Sequence, residues 1–145
     1  MLSIFKKKPE QSTLSKVGSL AGRAAILPLF IVGAKNALGY AEGLGGMTEA
    51  AAKKAGLGSL PVAGESLVKL NAYAQMGLGT TLALGIFPKL SAAGLVGSLV
   101  PTTLVGHNFW DKDDEQEKND QKLQFVKNAA VIGGLLYMAT RDNKR

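Results

Sequence analysis

HNFWDKDDEQEKNDQKLQFVKNAAVIGGLLYM, residues 107–138, is the stretch on which the reading of this chain turns. It opens with a lone histidine, His107, ahead of an aromatic pair. It then sets six acidic residues (Asp111, Asp113, Asp114, Glu115, Glu117 and Asp120) against Lys112, Lys118 and Lys122. Beyond them an apolar run begins that carries Lys127 and Asn128 near its start. That order describes a loop at a membrane face, then a last transmembrane helix with two polar groups just inside the bilayer and Trp110 as an interfacial anchor. The loop has neither the ligand spacing nor the glycine of an EF-hand and reads as a solvated, charged segment.

Outward from this stretch, apolar runs fall at about residues 19–39, 64–87, 89–106 and 123–140. A helix needs about 20 apolar residues to cross the hydrocarbon core. In the first run, Arg23 and Lys35 sit near opposite ends, where long basic side chains can snorkel to the two faces. Pro28 is tolerable because neighbouring helices can satisfy the freed carbonyl. A cleaved signal peptide is the rival reading of this run. The long basic start, the interruption at Arg23 and the three later runs favour an uncleaved helix. The second run, ended by Pro88, places Glu65, Lys69 and Tyr73 on one face and Asn71 with Gln75 on another. The third is rich in small residues, with Ala93 and Gly97, and Gly94 and Ser98, at the four-residue spacing that lets helices approach closely. Residues 40–63 read as a loop holding one short helix, N-capped by Thr48, with Lys53 and Lys54 in its last turn and Gly56 just beyond. Gly43, Gly45 and Gly46 lack the spacing and the preceding strand of a phosphate cradle.

The 145 residues suffice for one domain and contain no cysteine, which excludes disulfides, thiolate metal sites and thiol redox chemistry within the chain. A single histidine cannot build a His-rich metal site. The net charge of +6 invites a nucleic-acid reading. The basic residues instead flank apolar runs without interleaved aromatics, so membrane lipids are the expected partner and nucleic acid is not.

The expected fold is all-α, an integral membrane four-helix bundle over residues 17–140, with outer loops 40–63 and 107–122. Basic tails 1–16 and 141–145 would both be cytoplasmic, and Lys89 in the short turn agrees with that side. This topology brings Lys35, Asn36, Glu65, Lys69, His107, Lys127 and Asn128 to similar depth, roughly 6 Å inside the outer face at 1.5 Å per residue. Arg23 stands apart near the inner face as a second candidate. Two readings of this layer stay open. It is either snorkelling ends and interhelical glue, or the lining of an outward-open pocket able to exchange protons or hold an anionic or quinone-like head group.

The segments RAAILPLFIVGAKNAL (23–38), Gly64-Glu65 leading to GLGTTLALG (77–85), HNFW (107–110) and QFVKNAAVIGGLLYM (124–138) together resemble the DoxX family of small four-helix bacterial membrane proteins. The resemblance spans about residues 17–140; segment 40–63 is longer than the family pattern. It implies a multi-pass protein of the bacterial plasma membrane. The family includes or neighbours membrane subunits of quinone-reducing sulfur oxidation complexes and is associated with assemblies that handle thiol and oxidative stress. A chain without cysteine, flavin motif or cluster ligands would then be a non-catalytic anchor or quinone-site subunit, with a redox enzyme as partner and quinone as its ligand. The alternative is a small carrier or lipid-interacting membrane protein. A soluble helical bundle is a third reading and predicts extraction without detergent.

Overall fold

The computed structural model describes residues 12–141, and the described chain is all-helical. The expected basic clusters at Lys6–Lys8 and at Lys144 and Arg145 lie outside the described residues. Five α-helices follow in order: α1 (Thr13–Gly39), α2 (Ala41–Lys54), α3 (Gly64–Leu84), α4 (Pro88–Gly106) and α5 (Glu115–Thr140), with a single 3-10 turn at Phe109–Asp111.

Local chemistry explains where each helix starts and stops. α1 begins at Thr13 because the Ser12 hydroxyl accepts from the Ser15 N–H at 3.2 Å, an N-cap that lies ahead of the apolar run. α2 takes up most of the expected 40–63 loop. Thr48 does not cap it; Thr48 sits inside the helix, its hydroxyl bonded to the Leu44 carbonyl at 2.8 Å. The stop is as the residues suggest. Lys53 and Lys54 occupy the last turn, and Gly56 (φ 76°) allows Leu57 N–H to reach the Ala52 carbonyl and Gly56 N–H the Lys53 carbonyl. α3 ends at Leu84 through the same pairing of bonds around Gly85 (φ 73°). Pro88 then starts α4 at its first position, where its missing N–H costs nothing. The second half of the expected acidic loop is helical. Asp114 accepts from Glu117 N–H at 2.8 Å and caps α5, with Glu115 and Glu117 favourably placed in the first turn.

The helices form a row. α1 packs on α3, α3 on α4, and α4 on α5, while α2 lies across α3 and the edge of α4. Among the described residues α1 and α5 make no close backbone approach. α3 and α4 run antiparallel across the short turn at Gly85–Phe87. The start of α1 lies beside the end of α3, and the start of α5 beside the end of α4. Both described ends of the chain therefore fall at the same end of the row. One apolar cluster ties it together: Phe30 from α1, Leu82 from α3, Ala92, Leu95 and Leu99 from α4, and Leu135 from α5.

Two helices, α1 and α4, are long and apolar enough to cross a membrane. α3 carries Glu65, Lys69, Asn71 and Gln75 in its first half, and α5 begins with a strongly polar stretch. The surface is nonetheless apolar over much of the row. Leu14, Val17, Leu20 and Val32 of α1, Leu70 and Leu84 of α3, Leu90 and Leu104 of α4, and Leu123, Val126 and Leu136 of α5 are all exposed.

Candidate functional site

The polar side chains within the row are joined across two helix seams. On the α3–α4 seam, Asn71 Nδ2 donates to Thr102 Oγ1 at 2.9 Å, and Ser98 Oγ donates to Asn71 Oδ1 at 2.6 Å. Gln75 Nε2 reaches the same Thr102 oxygen at 3.3 Å. Thr102 in turn donates to the Ser98 carbonyl. On the α4–α5 seam, Asn128 Nδ2 donates to Thr103 Oγ1 at 3.1 Å, and Thr103 donates to the Leu99 carbonyl. Gln75, Ser98, Thr103 and Asn128 are buried. α4 thus presents Ser98 and Thr102 to one neighbour and Thr103 to the other, as its 100° advance per residue requires.

Beyond these seams the end of α4 builds a second group. His107 Nδ1 lies 2.8 Å from Gln121 Oε1 on α5. The next residue, Asn108, donates from Nδ2 to Asp111 Oδ2 at 3.2 Å, while its Oδ1 is buried without a partner. Lys54 at the end of α2 reaches the same Asp111 oxygen at 3.4 Å and ties α2 to this corner. Phe109 and Trp110, next in the chain after Asn108, meet Phe125 and one another edge to face, their ring centroids 5.2 to 5.9 Å apart. The corner therefore holds one orphaned amide oxygen and a histidine beside an aromatic wall. A buried unpaired acceptor costs about 1–3 kcal/mol, which a hydrogen-bond donor would recover.

The residues expected to share one polar layer separate into local groups. Glu65 and Lys69 pair with each other along α3 at 2.6 Å, half-exposed. Lys127 bonds Gln124 on its own helix, and Asn128 is committed to Thr103. His107 is committed to Gln121. Lys35 and Asn36 are exposed on α1. α1, which carries Lys35, and α5, which carries Lys127, make no close backbone approach. Arg23, also on α1, bonds the Ser19 carbonyl and lies against Gly85. Trp110 belongs to the aromatic wall. A shallow depression bordered by Glu49, Lys53, Ser59 and Leu60 lies away from these groups, on the connection from α2 to α3.

Sequence reasoning passed over Thr102, Thr103, Asn108 and Gln121, and took Ser98 only as a small residue for close helix approach. One signal was present. Asn71 with Gln75 and Ser98 with Thr102 are each four residues apart on consecutive antiparallel helices, which sets two polar pairs face to face. Nothing comparable pointed to Asn108, whose importance comes from burial alone.

Comparison with protein-family models, curated proteins and solved structures finds no match to this chain.

Proposed function

We propose that this chain is a multi-pass membrane protein in which α1, α3, α4 and α5 all cross the bilayer. Its role is that of a non-catalytic subunit supporting a membrane oxidoreductase, as the resemblance to DoxX proteins implies. The observation that carries the membrane part is the distribution of polarity. Amides and hydroxyls are turned into the helix seams, while leucines and valines of all four helices face outward. In water this arrangement wastes apolar burial; in lipid it satisfies each polar group against a neighbouring helix. α3 and α5 join the crossing because their polar residues are paired within the row or lie near its outer end. The two ends differ in charge, and the end where the described residues carry Lys16, Arg23, Lys89 and Arg141 without a carboxylate is the cytoplasmic one by the positive-inside rule.

The corner at His107 and Asn108 is the ligand point within this reading. His107, held by Gln121, and the aromatic wall suit a quinone-like head group, whose ring would stack or meet edges with Phe109, Trp110 and Phe125. The chain's own residues would bind and orient that head group; the redox step itself, two electrons and two protons exchanged between quinone and quinol, would belong to the partner enzyme.

The test is to purify tagged full-length protein from membranes in mild detergent and to identify co-purified polypeptides and extracted small molecules. A stoichiometric redox enzyme or bound quinone is the expected result. Clean protein with neither would overturn the subunit role and leave the carrier or lipid-interacting alternative. Full extraction without detergent would overturn the membrane reading itself.

A further inference from the structure

We propose that the Gly85–Leu90 turn, together with Arg23, forms a binding site for the phosphodiester of an anionic phospholipid. The inference rests on the membrane reading and adds a partner to it. At this end of the row the described residues carry Lys16, Arg23, Lys89 and Arg141 and no carboxylate side chain, whereas Glu42, Glu49, Glu65 and Asp111 through Asp120 all belong to the opposite end. Arg23 is half-buried on an apolar helix and has no carboxylate partner among the described residues. Its guanidinium is set over Gly85: a Cβ there would stand 2.5 Å from Nη1 and 3.2 Å from Cζ. Glycine at this position serves both the left-handed turn and the approach of the cation.

The same turn leads directly into α4. Pro88 occupies the first helical position, Phe87 offers no side-chain cap, and Lys89 follows, so the N–H groups of Lys89 and Leu90 lie at a helix start that favours negative charge. The planar donor fork of Arg23 suits phosphate oxygens, and Lys89 adds a point charge. The flanks select a lipid over a free phosphate. Leu20, Leu84, Ile86, Phe87 and Leu90 are exposed around the two cations, which gives acyl chains apolar surface next to the head group. A cytoplasmic leaflet rich in anionic lipid meets this end in the proposed orientation.

The experiment uses full-length protein reconstituted in phosphatidylcholine bilayers, with spin-labelled phosphatidylglycerol and spin-labelled phosphatidylcholine as probes. The readout is their relative association constant at the protein surface. Wild type should prefer phosphatidylglycerol. Arg23→Gln and Lys89→Gln should each reduce that preference by about fivefold, the contribution of one basic residue near an anionic surface. Arg23→Lys should keep part of it, and Lys53→Gln at the other end should leave it unchanged. Lys89 is exposed, so its variant decides the matter if Arg23→Gln does not fold. Equal association of the two lipids, or a preference untouched in Lys89→Gln, overturns the site. Competition by inorganic phosphate overturns the lipid assignment in favour of a small-anion site. Protein that needs no detergent fails the membrane reading; protein that needs it but shows no preference fails only this inference.

Discussion

At the residue scale, glycine carries the tightest contacts. Gly45 of α2 and Gly64 of α3 touch backbone to backbone: a Cβ on Gly45 would lie 2.7 Å from Glu65 Cα. Gly46, next in sequence, would place a Cβ in open space. Gly45→Ala should therefore cost about 1–3 kcal/mol through overpacking, while Gly46→Ala should gain up to about 1 kcal/mol from helix propensity. Thermal unfolding of the two variants in one detergent would check this, and equal shifts would refute the close crossing. The seam amides carry a smaller effect. Asn71→Leu removes the partner of Ser98 and one donor to Thr102, yet interhelical hydrogen bonds in membranes average only about 0.6 kcal/mol. A loss of about 1 kcal/mol is expected, and a loss several times larger would mean Asn71 does more than join two helices. Lys69→Leu removes only a half-exposed pair with Glu65 and should change stability little.

At the scale of elements, the attachment of α2 sets the shape of the end of the row opposite the described chain termini. Glu49 Oε1 accepts from Gly64 N–H at 2.7 Å, so a side chain on α2 caps the first turn of α3 across the intervening loop. Glu49→Ala should cost about 1 kcal/mol, the ordinary worth of an N-cap. It should also raise hydrogen exchange over Leu57–Ala63 and the start of α3. Lys54→Ala, which removes an exposed contact of 3.4 Å to Asp111, should lie within about 0.5 kcal/mol of wild type. If instead Lys54→Ala loosens α2 and Glu49→Ala does not, the ion pair is the real tether. Sequence reasoning saw the end of this helix, because Gly56 and the two lysines are local signals. It missed the beginning, because Tyr40 provides no side-chain cap and the helix is held from outside, by α3. The candidate site divides in the same way: His107 and Asn128 stood out as polar residues in apolar surroundings, whereas Asn108 and the α4 hydroxyls gained meaning only through their neighbours.

At the scale of the whole molecule, the absence of cysteine makes topology directly measurable. Single cysteines at Ser59 and Asp113 should react with a membrane-impermeant maleimide from one side of the membrane. Those at Ser12 and Arg141 should react only from the other. Labelling of all four from one side would mean that the row lies on the bilayer or in water. In the proposed crossing, flanking cations bound the apolar bands. Arg23 and Lys35 are about 18 Å apart along α1, and Lys127 and Arg141 about 21 Å along α5. Snorkelling at both ends extends each band toward the roughly 30 Å of hydrocarbon. Trp110, the only tryptophan, is half-exposed beside Phe109 and Phe125. Its fluorescence should be quenched more by lipids brominated near the head group than by lipids brominated near the chain ends, as an interfacial side chain requires.

What the sequence determined by itself is the all-helical class, the approximate place of α1, α3, α4 and the apolar part of α5, and the spacing of their polar residues, since these follow from periodicity, proline and glycine, which act over a few residues. The apolar runs and the turn at Gly85–Pro88 needed no partner to be read. Only the tertiary structure decided which faces meet. It ordered the helices so that α1 packs on α3, α3 on α4 and α4 on α5, turned the amides of Asn71 and Asn128 onto hydroxyls of α4, and laid Arg23 over Gly85. Each of these depends on the rotation of one helix against another, a quantity set by packing between residues distant in the chain and carried by no single stretch of it.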